Sequence, residues 1–443
     1  MDQPAGLGKT AEEVPNEPVV TGRSWWTVSV FFLFYTLAYI DRQILNYLVD
    51  PITRSLGISD FQFSLANGLV FAMLFAVAGV PIGWLVDRRS RRAIVAAGVV
   101  AWSIGAAICG MAKGYGQFLI GRIGLAAGEA TLTPGSYSSV SDQFPPARLS
   151  MPMAVMTAGS TFGSTMAAII AGWALTLVPD SGLVLPVLGH LWPWQVAMIG
   201  IAIPGILLMP LLFTIPEPAR QPRPKSASRR NEAFAEIRRY PRFYSGYFVG
   251  FGFYSCANFA MTSWLPTFFI RHHGWTVGKA AFAVGLLHAG AAIPGTLVMG
   301  WIVDKWFSGG RRDAHAVFFG IAALIQASCF GAAMLVGSPW LALALLVPVK
   351  LLTNHAGVGG AGLQIVAPPR LRGQLSAIYL MVFSLLGAGI GPSVTAVFTD
   401  FVFKDPLKIG SALLVSFTFC AVIASALLFS SAATMRRMQG AKA

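Results

Sequence analysis

Residues 83–92 read GWLVDRRSRR, and a second copy of this pattern follows at residues 300–305, which read GWIVDK. The two copies are 217 residues apart, and each of them ends a long apolar segment. At the same offset the segments that precede the copies share further residues, for example Gly68 with Gly285. A repeat at a fixed spacing indicates that a structural unit has been duplicated. The sequence therefore predicts two related halves.

Apolar segments long enough to cross a bilayer occur along most of the chain, since a spanning helix needs about 20 mostly apolar residues. Of the 443 residues, 55% are hydrophobic and 11% are charged, and the mean hydropathy is +0.64. Soluble domains usually contain about 25% charged residues. The candidate segments, numbered 1 to 12 in chain order, are approximately 25–49, 61–86, 93–112, 116–141, 150–176, 192–215, 243–270, 279–303, 314–336, 339–366, 374–402 and 407–434. We expect an all-α membrane protein with twelve transmembrane helices in two pseudo-symmetric six-helix bundles.

A polar connector divides the apolar segments into two groups of six. It contains several prolines and many basic residues, which is typical of a loop. The predicted divisions are a cytoplasmic tail at 1–24, a bundle at 25–215, a cytoplasmic linker at 216–242, a second bundle at 243–435 and a tail at 436–443. The first tail lacks an apolar core and contains three glutamates, so we do not expect it to be a signal peptide.

The positions of the basic residues predict the orientation in the membrane. The formal net charge is +14, and most of the 32 Lys and Arg residues lie in the tails and in the loops of one side. By the positive-inside rule those loops are cytoplasmic, as are both termini. We expect an inner-membrane protein whose basic loops contact anionic membrane lipids, and we do not expect it to bind nucleic acid.

Five charged residues lie deep within the predicted spans: Asp41, Arg42, Arg122, Glu129 and Lys350. An unpaired charge at the centre of a membrane helix costs about 2.5–3.5 kcal/mol, so these residues must pair or face water. Arg122 and Glu129 are seven residues apart and therefore share one face of segment 4. We predict that Asp41, Glu129 and Arg122 line a central cavity of the first half. There, protonation of a carboxyl would break its pair with Arg122 and permit a conformational step.

Other polar residues in the apolar segments are candidates for substrate binding. Arg42 is predicted to receive an anionic headgroup, because its planar guanidinium suits phosphate. The remaining candidates are Asn46, Tyr47, Asn258, Thr262, Trp264, His288, Lys350 and Asn354. In the second half, hydrogen bonding between helices is an equally open interpretation of these residues. The nearby side chains that would suit an acyl chain are Phe251, Phe253, Phe259, Phe268 and Phe269.

Two interpretations other than transport stay open at this point. The charges of segments 1 and 4 could form a fixed polar contact that serves only assembly. The chain could also be a lipid-binding receptor or an integral-membrane enzyme. The sequence contains no nucleophile elbow, paired metal motif or phosphate-binding loop. We therefore expect no enzyme activity, no metal and no cofactor.

The repeated motif and the six-plus-six layout resemble the major facilitator superfamily. That family carries Gly-x-Leu-x-Asp-Arg-x-x-Arg-Arg between helices 2 and 3, and residues 83–92 match it. The resemblance implies the major facilitator fold and alternating access. It also implies that the aspartate caps a helix of the opposite half and that the arginines bind nearby carboxylates, which latches the outward-open state. The gating residues implied in this way are Gly83, Asp87, Arg88, Arg91 and Arg92, with Asp304 and Lys305 in the second copy.

Two short motifs resemble the Spinster branch of that family, whose members transport lysolipids and sphingoid-base phosphates. Residues 39–45 read YIDRQIL and residues 128–130 read GEA. Segment 4 is also similar to the family's second motif, whose arginine, here Arg122, takes part in proton coupling. The antiporter motif is incomplete on segment 5, because Ser164 stands in place of its proline, so antiport and symport both stay open.

The sequence as a whole predicts a monomeric secondary active transporter driven by protons. Its predicted substrate is an amphipathic anion such as a lysolipid or a related lipid. The alternative substrate class is small organic anions or drugs.

Overall fold

The computed structural model describes residues 20–86, 88–145, 148–179, 181–186, 189–217, 230–368 and 371–440. Almost all of the first half is helical. Its α-helices are α1 (Gly22–Ile44), α2 (Val49–Leu56), α3 (Asp60–Ser64), α4 (Val70–Val86), α5 (Arg91–Gly110), α6 (Tyr115–Glu129), α7 (Leu132–Ser141), α8 (Ser150–Leu177) and α9 (Pro193–Leu208). It also contains the 3₁₀-helices Leu45–Tyr47 and Met209–Thr214 and the π-helical turn Leu65–Leu69. A small antiparallel hairpin, β1 (Leu183–Leu185) and β2 (Gly189–Leu191), was not predicted.

The second half repeats this architecture. Its α-helices are α10 (Arg230–Arg239), α11 (Pro241–His273), α12 (Val277–Leu287), α13 (Ile293–Ser308), α14 (Ala314–Leu335), α15 (Pro339–Leu351), α16 (Ala356–Val366), α17 (Arg372–Ser384), α18 (Gly391–Val397) and α19 (Ile409–Gly440). The π-helical turns are His288–Ala292, Leu385–Ile390 and Phe398–Phe403, and one 3₁₀-helix covers Pro406–Lys408. The last helix extends to Gly440, beyond the predicted end of the bundle at residue 435.

All twelve predicted segments are helical, and ten helical spans in the described part of the chain are long and apolar enough to cross a membrane. Segments 4 and 7 are the exceptions. Segment 4 is divided into α6 and α7, of 15 and 10 residues, and neither is long enough alone. Segment 7 forms the 33-residue α11, which is less apolar because buried tyrosine, serine and asparagine side chains pack inside the protein. The count of twelve crossings therefore stays a prediction.

Small residues bring the two halves into contact. A Cβ built on Gly68 would lie 2.9 Å from the carbonyl oxygen of Ala388, so the π-helical turns of segments 2 and 11 touch through their backbones. A Cβ on Gly172 would lie 3.1 Å from the Cα of Gly278, which brings α8 against α12 in the same way. Larger side chains at these positions would hold the helices apart.

Several membrane segments are interrupted near their middle. Segment 4 leaves the α-helical path at Ala130 and Thr131, and segment 10 does so from Leu352 to His355. Segments 2, 8 and 11 instead contain π-helical turns. Such turns occur frequently at functional sites, and broken membrane helices are tolerated where they are buried in protein or line a cavity. The interruptions therefore mark the region in which to look for a site.

Candidate functional site

An ion pair between segments 1 and 4 forms the centre of the candidate site. Arg42 lies near the end of α1, and its Nε donates to Oε2 of Glu129, the last residue of α6. The Glu129 side chain is fully enclosed, whereas the Arg42 side chain keeps 26% of its surface exposed. The guanidinium also lies over the ring of Phe71, at 4.9 Å, and over that of Phe75, at 4.7 Å. Arg42 is therefore the member of the pair that an incoming ligand can reach.

Asp41 is a second buried acid beside this pair. It is 2% exposed, and its carboxylate has no hydrogen-bond or ion-pair partner among the described residues. Oε1 of Glu129 also lacks a partner within the described part of the chain. Asp41 interacts electrostatically with Glu129, Arg122 and Arg42. Four ionisable groups thus share one buried region, and their charges cancel when all of them are ionised.

Arg122 has different partners from those predicted. It is 1% exposed and donates to Oδ1 of Asn67 at 3.0 Å and to the carbonyl oxygen of Ala66 at 3.4 Å. The prediction that Arg122 holds Glu129 is not met in this structure. Seven residues along a helix separate the two by about 10 Å, so sharing a face does not bring their charged ends together. Arg122 reaches segment 2 instead, while Arg42 lies beside Glu129.

A chain of amide groups connects segments 1, 2 and 4. Asn67 Nδ2 donates to Asn46 Oδ1 at 3.2 Å, and Asn46 Nδ2 donates to Gln43 Oε1 at 2.7 Å. Asn46 is therefore a link in a hydrogen-bonded chain, and its predicted role in substrate binding stays a prediction. Tyr47 lies in the hydrophobic core and is 8% exposed. Asn67 was not predicted; the available signal was an amide side chain inside an otherwise apolar segment.

In the second half, two predicted substrate-binding residues have structural partners instead. Asn258 and Gln326 exchange hydrogen bonds between their amides, and Asn258 also donates to the backbone. Trp264 Nε1 donates to the carbonyl oxygen of Pro392 at 2.9 Å. Both predicted residues are almost completely buried, so a ligand would have to displace these bonds to reach them. These contacts favour hydrogen bonding between helices for this pair, and substrate binding by it stays a prediction.

Three other predicted residues cluster where segments 8 and 10 are interrupted. His288 begins the π-helical turn of segment 8, and Asn354 Nδ2 donates to Ala292 O and Thr296 Oγ1, at 3.2 and 3.0 Å. Lys350 lies one residue before the end of α15 and is 1% exposed. Thr262, on α11, is partly exposed and stays a candidate.

The predicted acyl-chain surface is largely absent. Phe251, Phe268 and Phe269 are completely buried in the hydrophobic core, and only Phe253 and Phe259 keep partial exposure. The prediction of a phenylalanine-lined cavity in the second half is therefore wrong for three of its five residues. Rings in the interior of a bundle contribute to packing, and the sequence did not distinguish that role from cavity lining.

Two arginines of the first repeat motif bind carboxylates of their own half or of the adjoining linker. Arg91 pairs with Asp142, and its backbone N–H donates to Glu217 at 2.7 Å. Arg92 Nε lies 3.3 Å from the carboxylate of Glu217. The guanidinium of Arg88 stacks on Trp84, and Gly83 has open space beside it. Asp87 lies outside the described residues.

The second motif copies one feature of the first. Lys305 lies over the ring of Trp301 at 5.1 Å, four residues earlier, as Arg88 lies over Trp84. Asp304 is exposed, and its carboxylate binds none of the described residues. The predicted cap on a helix of the opposite half is therefore not formed by Asp304 in this structure.

At the opposite end of the bundle, ionic contacts connect the two halves. Arg271, near the end of α11, binds Asp50 and Asp60 of the first half at 2.7 and 2.6 Å. The backbone N–H of Phe61 donates to Oδ2 of Asp400 at 2.7 Å. Arg271 and the three aspartates line a cleft of about 400 Å³. We call these contacts the Arg271 clamp; they were not predicted, because only the fold brings the ends of four segments together.

Replacing Arg271 by Met should weaken the Arg271 clamp, because Asp50 and Asp60 would be left without their common cation. Breaking a largely buried ion pair costs about 3–5 kcal/mol. The distance between spin labels at Arg54→Cys and Leu407→Cys, which lie at this end in opposite halves, should lengthen. Lys279→Met removes an exposed cation from the same end and should leave the distance unchanged. Equal distance distributions in Arg271→Met and wild type would contradict the clamp.

The fold and site define a multi-pass membrane transporter with two helical halves and a buried ionic centre. The chain belongs to the Major Facilitator Superfamily, whose family profile matches residues 31–392. It is 26% identical over 432 residues to an MFS-type efflux pump of Mycolicibacterium smegmatis, which covers 94% of each chain. It is 25% identical to a probable L-galactonate transporter of Escherichia coli, covering 84% of this chain and 83% of that one.

A solved structure has the same fold over nearly the whole chain. It is a bacterial homologue of the human lysosomal transporter Spinster, in an inward-facing and unoccupied conformation. The TM-score is 0.79 at 24% sequence identity, and the match covers 95% of this chain and 98% of that chain. This similarity shows that the two proteins share one fold.

Proposed function

We propose that this protein is a proton-coupled secondary transporter of an amphipathic anion, with a lysolipid as the first candidate substrate. The observation that carries the proposal is the buried Arg42–Glu129 pair beside the unpartnered carboxylate of Asp41. Charged residues within membrane spans are rare and commonly belong to ion pathways and proton relays. A contact that served only assembly would not require two titratable acids, one of them without a partner.

The pair suggests how proton binding and anion binding are connected. Arg42 can bind the carboxylate of Glu129 or the anionic group of a substrate, and its exposed surface lets a substrate approach. When Glu129 is protonated, the attraction between the two residues falls, and the guanidinium becomes available to the substrate. Arg122 stays bound to Asn67, so it acts as a fixed cation near Asp41. Proton uptake and anion binding then favour one another.

The contacts at the two ends of the bundle support alternating access. The Arg271 clamp connects the halves at one end, while the described ion pairs of Arg91 and Arg92 reach only Asp142 of the first half and Glu217 at the start of the linker. We propose that both termini are cytoplasmic and that the protein is a monomer, in which case this arrangement is inward-open. Gly83, Asp87, Arg88, Asp304 and Lys305 would engage the opposite half in the outward-open state, with residues 25–215 and 243–435 moving as units about the linker.

Small organic acids are the second candidate substrate class. The observation that favours them is the similarity to a probable L-galactonate transporter over most of both chains. The loss of the predicted acyl-chain surface also weakens the support for a lipid. Both classes carry an anionic group for Arg42, and they differ in whether an apolar tail contributes to binding.

Uptake into proteoliposomes tests the proposal. An inward-directed proton gradient should drive accumulation of radiolabelled lysophosphatidylglycerol, measured after albumin removes the lipid left in the outer leaflet. Muconate and galactonate, tested in parallel, represent the second class. Dissipation of the gradient with a protonophore should abolish accumulation. Uptake that is unchanged by the protonophore would refute proton coupling. Inhibition of uptake by the small acids but not by the lysolipid would favour the second substrate class.

A further inference from the structure

A buried cation in the second half lacks the counter-charges that surround the cations of the first half. Lys350 is 1% exposed, and its ammonium has no hydrogen-bond or ion-pair partner among the described residues. Although its Nζ has no such partner, this atom is not completely sealed from solvent. An unpaired charge inside a membrane protein is unfavourable and typically marks a functional site.

The surroundings of Lys350 resemble those of Arg122 in geometry but not in charge. Arg122, on α6, reaches the π-helical turn Leu65–Leu69 of segment 2 and donates to Asn67. In the second half α15 packs against the π-helical turn His288–Ala292 of segment 8, and Lys350 interacts electrostatically with His288. The first-half cation thus has oxygen acceptors, whereas the second-half cation has none among the described residues.

No described carboxylate of the second half lies where it could neutralise Lys350. Asp304 is exposed at the end of segment 8, and Asp313 pairs with Arg436. Asp400 accepts the backbone N–H of Phe61 at the Arg271 clamp. Asp405, the remaining acid of this bundle, accepts the backbone N–H of Leu407, and no described carboxylate of the first half pairs with Lys350. A compensating negative charge must therefore come from a molecule that enters the protein.

The break in segment 10 gives a ligand two favourable elements at the same place. Lys350 supplies a compact cation, which attracts carboxylate and phosphate alike. The N-terminus of α16 follows at Ala356, and helix N-termini at broken membrane helices favour anionic groups. Asn354 holds the intervening turn to segment 8 through Ala292 and Thr296, which keeps the two elements in a fixed relation.

We propose that Lys350 forms an anion-binding subsite in the second half, which holds the carboxylate or phosphate of the transported molecule. This inference rests on the proposed transport function and assigns a substrate contact within it. Glu129 competes with the substrate anion for Arg42, whereas no described carboxylate competes with it for Lys350. The substrate anion can therefore bind at Lys350 before Glu129 is protonated.

Ligand-dependent thermal stabilisation of the purified full-length protein tests the subsite. The probes are lysophosphatidylglycerol, which carries a lipid phosphate, and cis,cis-muconate, which carries free carboxylates. Lys350→Met should weaken the binding of whichever probe stabilises wild type by about tenfold or more, as expected when a hydrogen bond to a charged group is lost. Lys350→Arg should retain most of the affinity, and Lys408→Met, at an exposed lysine, should retain all of it.

The unfolding temperature without ligand separates binding from folding. Removal of an unpaired buried charge should leave that temperature unchanged or raise it, whereas loss of a structural contact would lower it. Equal affinity in Lys350→Met and wild type, or no stabilisation of wild type by either probe, would overturn the subsite. The Lys350→Met variant should still open and close in response to protons. Loss of ligand binding at Lys350 can therefore be distinguished from loss of proton coupling.

Discussion

Replacing Asp41 by Asn and Glu129 by Gln together should abolish pH-dependent switching between the two conformations. These are the only acids deep within the described spans, and Asn and Gln keep their shape without the ability to ionise. A switch from about 1:99 to about 99:1 requires about 5.5 kcal/mol of differential binding. The double variant loses the groups that could provide it, so its conformational equilibrium should be the same at low and at high pH.

Spin labels at Arg148→Cys and Ser308→Cys can measure this equilibrium, since they lie in opposite halves at the end that carries the repeat motifs. Distances recorded at pH 5 and pH 8 should differ in wild type and coincide in the double variant. Glu236→Gln, which neutralises an acid of α10 outside the spans, should behave as wild type. A double variant that still opens and closes with pH would refute the proposed mechanism and leave the pair as a structural contact.

The repeat, the polar connector and the apolar segments were sufficient to predict the two-half fold, because they are properties of the chain itself. The internal interruptions were not predicted. Segment 10 breaks at Leu352, where Tyr254 Oη donates to the free carbonyl oxygen at 2.8 Å. A backbone group released by such a break needs a partner from another helix, and the sequence of one segment does not show which helix supplies it.

The four charged residues of the candidate site were named from the sequence, but Asn67 and the pairing of these charges were not. Spacing along one helix placed Arg122 and Glu129 on a common face, yet their partners, Asn67 and Arg42, come from other segments. Relations within a helix follow from its period, whereas relations between helices depend on relative height and rotation. The same limit explains Asn258, whose partner Gln326 lies on α14.

Replacing Arg42 by Met should strongly lower the stability of the folded protein, because it leaves Glu129 enclosed without a counter-charge. Loss of one partner of a buried pair costs about 3–5 kcal/mol, much of which is the penalty for the charge left behind. Thermal unfolding at pH 8 should show this loss. At pH 5 the loss should be smaller, since protonation of Glu129 removes the unpaired charge. Arg436→Met breaks the pair with Asp313, in which the arginine keeps 63% of its surface exposed, and should cost less than Arg42→Met because water screens that arginine.

A double-mutant cycle separates the structural from the functional part of this effect. Arg42→Met with Glu129→Gln removes both charges, so most of the lost stability should return. Transport should not return, because the restored fold would lack both the cation that receives the substrate anion and the acid that competes for it. If the double variant regained proton-driven uptake together with stability, the pair would act only in assembly. If the double variant instead folds stably but does not transport, Arg42 must exchange Glu129 for the substrate anion during the transport cycle.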